Sequence, residues 1–355
     1  MSAAVEFTST RHNPGVDPVL AGWTWEIPVY LFVGGAVAGL MIMGGIALLR
    51  AARGEQARSF AAWQAPLLGF ALLNVGMLAL WLDLAHRWYA WRVFLTVQPS
   101  APMSWGSWTL LLVYGVLLAS MLVRLPSSWP WLGARLPLLQ RASDALTGSP
   151  RRLAALGIAN VALGVSLGTY TGLLLNTMVA RPLWNSAALP LLFLLSGLCA
   201  GSALLMLGAW LRGDGAAPSG FVTGGLATLV QPLGETAPPR EALGELVRAN
   251  IGFIVGELVL IGLYVANLAT SSASHVQALA LLTTGPFAAS FWGIDIALGL
   301  LLPLAVQALL LAQRSPALLL RWLPLPALLV VAGSFTLRWV MVNAGQMSRL
   351  IAAGP

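Results

Sequence analysis

The sequence predicts an all-α integral membrane protein with about eight transmembrane helices, arranged as two four-helix bundles with both termini on the outer, periplasmic side. Three observations carry this reading. The 355 residues are 58% hydrophobic and only 9% charged, where a soluble domain carries about 25% charged residues. So few charges cannot cover a water-exposed surface of this size, and mean hydropathy is +0.81. The apolar residues fall into runs long enough to span a bilayer, which takes roughly 20 residues per helix. The 19 basic residues are all arginines, and they concentrate in alternate connections between the runs.

Taken in order, the expected spans are residues 28–49, 64–82, 107–125, 152–177, 187–211, 250–270, 289–312 and 320–343. The run FVTGGLATLV (221–230) is too short and glycine-rich to cross, and suits an interfacial position. The stretches 125–151 and 212–249, rich in Pro, Gly and charge, are the longest connections. No period of 20–50 residues repeats. The chain is read as one polytopic domain over 1–355, with an outer segment 1–27, a membrane region 28–343 and an outer tail 344–355. Residues 1–22 have no apolar core, so the first span is expected to direct insertion itself. Thirteen arginines fall in the odd-numbered connections and five on the other side, Arg338 lying within the last span. By the positive-inside rule the odd connections face the cytoplasm.

Composition also excludes functions. No basic run interleaves with aromatics as nucleic-acid binding requires. Cys199 is the single cysteine, so the chain has neither an internal disulfide nor the ligands of its own iron–sulfur cluster. His12, His86 and His275 lie outside the apolar runs. A membrane haem held by histidines on facing helices is therefore not expected. Redox chemistry here would need a diffusible cofactor and a partner protein.

Ionisable groups inside spans are costly and mark functional positions. Here they are Glu257, Asp295 and Arg338. Asp295 and Arg338 could pair across adjacent helices. Tyr170 lies roughly 10 Å below the outer edge at 1.5 Å per residue, with Asp295 at a similar depth. Trp25, Glu26 and Tyr30 open the first span on that side, and Asp83 and His86 close the second. Glu257 stands apart, about seven residues from the expected inner end of the sixth span. The outer connection 83–108 carries Trp88, Trp91, Trp105 and Trp108. These suit either an aromatic belt or a docking face. The glycines of GGAVAG (34–39) and GLCAGSA (197–203) read as close-packing positions.

Six segments in order resemble the NrfD/polysulfide-reductase membrane-subunit family nearly end to end. They are PVYLFVGGAVAG (28–39), DLAHRWYAWRVFL with APMSWGSW (83–108), YTGLLLNTMVARPLWNSAALPLLFLLSGLCAGSAL (170–204), GELVLIGLYVANL (256–268), FWGIDIALGLLLPL (291–304) and LRWVMVNAGQMS (337–348). The resemblance implies a haem-free, quinone-reactive subunit in a bacterial inner membrane. It would exchange electrons with a four-cluster ferredoxin-like subunit, often wired to a molybdopterin or multihaem cytochrome c catalytic subunit. It also implies that Tyr170, the tyrosine of the YTG motif, contacts the quinone, whether menaquinone or ubiquinone. The polar entry to the first helix, here Trp25, Glu26 and Tyr30, would line the same pocket. Some relatives have Asn and His at that entry, a departure in this chain.

The residues themselves suit that chemistry. A quinone carbonyl needs a donor while the tail needs lipid, and a phenol supplies the donor without burying a charge. Turnover needs titratable groups nearby, for which Asp83, His86 and Asp295 are candidates, with Arg338 completing the outer set. Glu257 and Asp295 would form a proton path. Two rival readings are a transporter or proton channel and a passive membrane anchor for a periplasmic enzyme. Against the first, the sequence has no inverted repeat and no paired broken helices.

Overall fold

A computed structural model describes residues 22–55, 60–128, 135–212, 240–313 and 315–350. Among them there is no strand, and eight helices are long and apolar enough to cross a membrane. Named in chain order, the long helices are α1 (Glu26–Ala52), α2 (Phe60–Asp83), α3 (Pro102–Ser128), α5 (Pro150–Asn176), α6 (Ala188–Arg212), α7 (Arg240–Thr270), α9 (Ala289–Ala312) and α11 (Pro324–Met347). Between them stand the shorter helices α4 (Pro137–Thr147), α8 (Ala273–Thr283) and α10 (Pro316–Trp322). Each expected span is present, and the protein is a multi-pass membrane protein. On sequence alone α4 and α8 fall within connections, because neither is long or apolar enough to register as a span. The 221–230 run lies outside the described residues.

An even number of crossings puts residues 22 and 350 at one end of the bundle, here termed the terminal face. The connection 83–101 and the loop after α5 lie at the same end. Helix α1 is the most enclosed span and packs against α2, α5, α6 and α11. Helix α3 joins α2 and α5, while α6 joins α7 and α11, and α11 lies along α9. In lipid, helices gain little from burying apolar side chains, so association depends on close backbone approach. Glycines supply it, as their clustering in the sequence predicts. A Cβ at Gly39 would overlap the Gly197 carbonyl, and one at Gly197 would stand 2.5 Å from the Gly35 oxygen. Gly299 and Gly333 allow the same contact between α9 and α11.

Two departures from the expected spans matter for function. Helix α7 begins at Arg240 rather than near 250. Its first turns extend beyond the apolar run, and Glu245 there meets Arg50 of α1 at 3.0 Å. Glu257 is consequently near the middle of its helix, not near its inner end. Helix α9 opens with a π-helical stretch, Ala289–Leu301, that carries Asp295 and passes into α-helix before Pro303. Such wide turns recur at functional sites because they re-aim side chains.

A lateral cleft and a buried polar cluster

At the terminal face the stretch ARPLWNS after α5 forms a compact knot. Arg181 Nη1 donates to the carbonyls of Gln346 (2.7 Å) and Ser348 (2.8 Å). Trp184 Nε1 donates to the Met341 carbonyl at 2.7 Å, and its indole fills the space that a Cβ at Gly345 would take. The side-chain oxygen of Gln346 accepts from the Trp23 backbone N–H, and its amide donates to the Trp23 carbonyl, each at 3.1 Å. The Trp23 and Trp184 rings stand 5.5 Å apart. The entry to α1 is thereby pinned to the end of α11, and Trp23 is fixed into the wall of a cleft.

That cleft measures about 570 Å³. Trp23 lines it from the segment before α1, and Ile27, Tyr30 and Leu31 line it from α1. Asn74, Met77, Leu78, Trp81 and Asp83 line it from α2, and Tyr170, Leu174 and Leu175 from α5. Phe94, Met103, Gly106, Ser107 and Leu110 close it from the 83–101 connection and α3. Leu78 and Met103 are both more than half exposed, so the cleft opens sideways onto the surface that lipid covers. Its lining is mostly apolar, and the polar atoms in it are few. The phenols of Tyr30 and Tyr170 are electrostatic neighbours, and neither hydroxyl makes a hydrogen bond among the described residues. The Ser107 hydroxyl is already committed to the Ser104 carbonyl at 2.8 Å. Asn74 donates to the Phe70 carbonyl at 2.8 Å. A Cβ on Gly106 would overlap the Tyr170 ring and hydroxyl, so α3 can pass over the phenol only because residue 106 is glycine.

The residues singled out from sequence divide between places. Tyr30, Tyr170 and Asp83 meet at the cleft. Glu26 is an electrostatic neighbour of Asp83 and accepts from the Thr24 hydroxyl. Asp83 also borders an adjoining depression of about 380 Å³ formed by residues 82–89, and His86 sits there rather than in the cleft. Trp25 is half exposed and turned away. Both tryptophans precede α1, and it is Trp23, held by its backbone hydrogen bonds to Gln346, that lines the cleft. Asn74 and Trp81 carry no mark in the sequence that singles them out, and Phe94 and Gly106 lie inside the quoted stretches DLAHRWYAWRVFL and APMSWGSW without standing out in them.

Arg338, Asp295 and Glu257 lie together in a second, enclosed site. All three are fully buried and within electrostatic reach of one another. Arg338 Nε donates to the Leu31 carbonyl at 3.2 Å, and Nη1 to Ser196 Oγ and the Ser334 carbonyl at 2.8 Å each. Nη2 donates to the Phe193 carbonyl at 2.9 Å. Among the described residues no ion pair joins Arg338 to either acid, so the expected pairing with Asp295 is replaced by backbone carbonyls and a serine. The oxygens of Glu257 and Asp295 have no hydrogen-bond partner there. Ser196 and the Cys199 thiol flank Glu257. Toward the opposite face the polar contacts continue. Asn250 Nδ2 donates to Ser202 Oγ (2.8 Å) and the Cys199 carbonyl (3.1 Å), and Gln307 Nε2 donates to Asn250 Oδ1 (2.8 Å).

Comparison with known proteins finds similarity along nearly the whole chain. A family model described as "Polysulphide reductase, NrfD" matches residues 11–350. A polysulfide reductase chain of Wolinella succinogenes is 28% identical over 338 residues, covering 91% of this protein and 94% of that one. "Protein NrfD" of Escherichia coli is 26% identical over 339 residues, covering 92% and 95%. A selenate reductase subunit of Mesobacillus selenatarsenatis is 26% identical over 155 residues, covering 39% of this protein and 36% of its own length.

Proposed function

The chain belongs to the polysulphide reductase NrfD family, and from that premise we propose that it is the quinone-reactive membrane subunit of a multi-subunit oxidoreductase. It exchanges electrons between quinone in the lipid and an iron–sulfur subunit docked on the terminal face. One observation carries the reading. An apolar cleft that opens onto lipid contains two phenol hydroxyls with no partner among the described residues. A donor left unpaired in a dry place is costly, so the cleft is built for a ligand with acceptors at one end and an apolar body. Menaquinone and ubiquinone both have that form.

In this reading Tyr170 and Tyr30 hold the carbonyl oxygens by donating to them. Trp23, Trp81 and Phe94 exclude water around the ring, and the opening at Leu78 and Met103 lets the tail remain in lipid. Asp83 stands at the cleft's edge and also borders the depression with His86. It can take a proton from the bound headgroup and pass it toward water. Two of the relatives are named as one chain or one subunit of a reductase, which supports the existence of partner proteins here. A four-cluster ferredoxin-like subunit, with a molybdopterin or multihaem catalytic subunit beyond it, fits that role. The arginine bias supports placing the terminal face on the periplasmic side of a cytoplasmic membrane.

Titration of the purified protein with a short-tailed quinone, read by quenching of tryptophan fluorescence, tests the reading. Saturable quenching at one equivalent is the expected result. Quenching that never saturates would return the protein to the role of a passive anchor. Two further outcomes are expected. The purified chain shows no haem Soret or α band in its optical spectrum. Crosslinks from the iron–sulfur partner map to residues 83–106, whose Trp88, Trp91 and Trp105 are exposed, rather than to 125–151 or 212–249. A methyl group on Gly106 must displace the Tyr170 phenol, so Gly106→Ala should cost about 1–3 kcal/mol of stability through overpacking. It should also lower quinol turnover, measured as kcat/KM.

A second reading, proton translocation through Glu257 and Asp295, is favoured by the Arg338–Leu31 bond. Leu31 lines the cleft, and Arg338 adjoins both acids. The Asn250–Gln307 contacts extend the polar groups toward the opposite face.

A further inference from the structure

The buried cluster admits a count of charge. Among the described residues four ionisable groups face it: Arg338 from α11, Asp295 from α9, Glu257 from α7 and the Cys199 thiol from α6. The other polar neighbours, Ser196 and Ser334, are neutral. Arginine keeps its charge in proteins, and here every hydrogen bond it donates goes to a carbonyl or a serine. These bonds hold the guanidinium in place but do not balance it. The balancing charge must come from Glu257 or Asp295, both sealed from solvent; among the described residues their oxygens have no placed hydrogen-bond partner, and the groups beside Glu257, the Ser196 hydroxyl and the Cys199 thiol, are neutral. Two ionised carboxylates would leave one surplus negative charge, and two neutral carboxyls one surplus positive charge. An unbalanced charge in such a place costs far more than a hydrogen bond returns. Only one ionised carboxylate makes the cluster neutral.

We propose that Glu257 and Asp295 hold a single proton between them, with Arg338 as the fixed counter-charge, so that the cluster is a one-proton store enclosed within the membrane. The two carboxyls titrate as a pair, not as separate groups. The store adjoins the cleft through the bond from Arg338 to Leu31, but the charge count is independent of what the cleft binds.

The test is infrared spectroscopy of the full chain in lipid nanodiscs at neutral pH, comparing wild type with Glu257→Gln and Asp295→Asn. Wild type should show one carbonyl-stretch band of a protonated carboxylic acid, shifting in heavy water. Each amide variant should lose that band completely, because the remaining carboxyl is then ionised opposite Arg338. A band that survives in either variant means an independently protonated group and overturns the proposal. No band in wild type means that something other than a proton, such as a bound cation, balances the pair, and overturns it equally. Both amide variants keep the cluster neutral on this account and should accumulate as wild type does; failure of either contradicts it. The double variant leaves Arg338 unbalanced and should lose more thermal stability than the two single losses combined. An additive double variant would contradict the shared proton. None of these readouts involves quinone, so they stand or fall apart from the cleft's reading.

Discussion

Tyr170→Phe is expected to lower quinone affinity or limiting-quinol turnover by roughly 5- to 150-fold while leaving the fold intact. The hydroxyl has no partner among the described residues, so the fold loses no hydrogen bond when it is removed. The ring still fills the space beneath Gly106. A bound quinone, by contrast, would keep one carbonyl buried with a donor missing. Leaving such an acceptor unpaired costs about 1–3 kcal/mol, which converts to that range of affinity. Oxidation of the partner's iron–sulfur clusters by a soluble artificial acceptor bypasses the cleft and should proceed at the wild-type rate. A wild-type rate with limiting quinol would make Tyr170 a packing residue and shift attention to Tyr30 and Asp83. The two tyrosines share the cleft, so Tyr30→Phe in the same background should compound the loss.

Arg338→Met is expected to destabilise the protein by about 3–5 kcal/mol, the range for breaking a buried charged cluster by removing one member. Methionine approximates the volume of the stem but donates nothing. The carbonyls of Leu31, Phe193 and Ser334 and the Ser196 hydroxyl lose their donor together. These groups belong to α1, α6 and α11, so the arginine ties three helices where Gly35 leaves room for its guanidinium. Thermal unfolding of the purified variant measures the loss. Arg338→Lys should recover only part of it. It retains the charge, but three donors on one nitrogen cannot reach the four positions that the planar fork reaches. Full stability in the methionine variant would mean that the carbonyls find other donors and that the cluster is not a structural centre.

The spans are legible in the sequence because lipid imposes a length and a polarity that composition reveals directly. The role of the glycines at 39 and 197 is legible for the same reason. The arrangement of polar groups is less so. Asp295 and Arg338 are recognisable as costly residues, but their neighbours depend on how α9 and α11 pack and on the π-helical stretch that turns Asp295. Glu257 looks isolated in sequence because the apolar run of α7 starts late. The helix itself starts at Arg240, where charged residues continue it past the apolar run. The resemblance points to Trp25, whereas Trp23 lines the cleft because its backbone bonds to Gln346 at the far end of the chain, a contact that no local pattern discloses. Asn74 and Trp81 escape notice because their meaning comes from the cleft between α2 and α3, which no single helix discloses.

The central claim is that the cleft beside Tyr30 and Tyr170 is where quinone binds. Photo-crosslinking of the purified protein with an azido-quinone, followed by peptide mapping, tests it most directly. The account predicts saturable labelling, displaced by unmodified quinone, in residues 23–31, 74–84, 103–110 and 170–175. Labelling concentrated around Glu257, Asp295 and Arg338, or labelling that unmodified quinone does not displace, would contradict it.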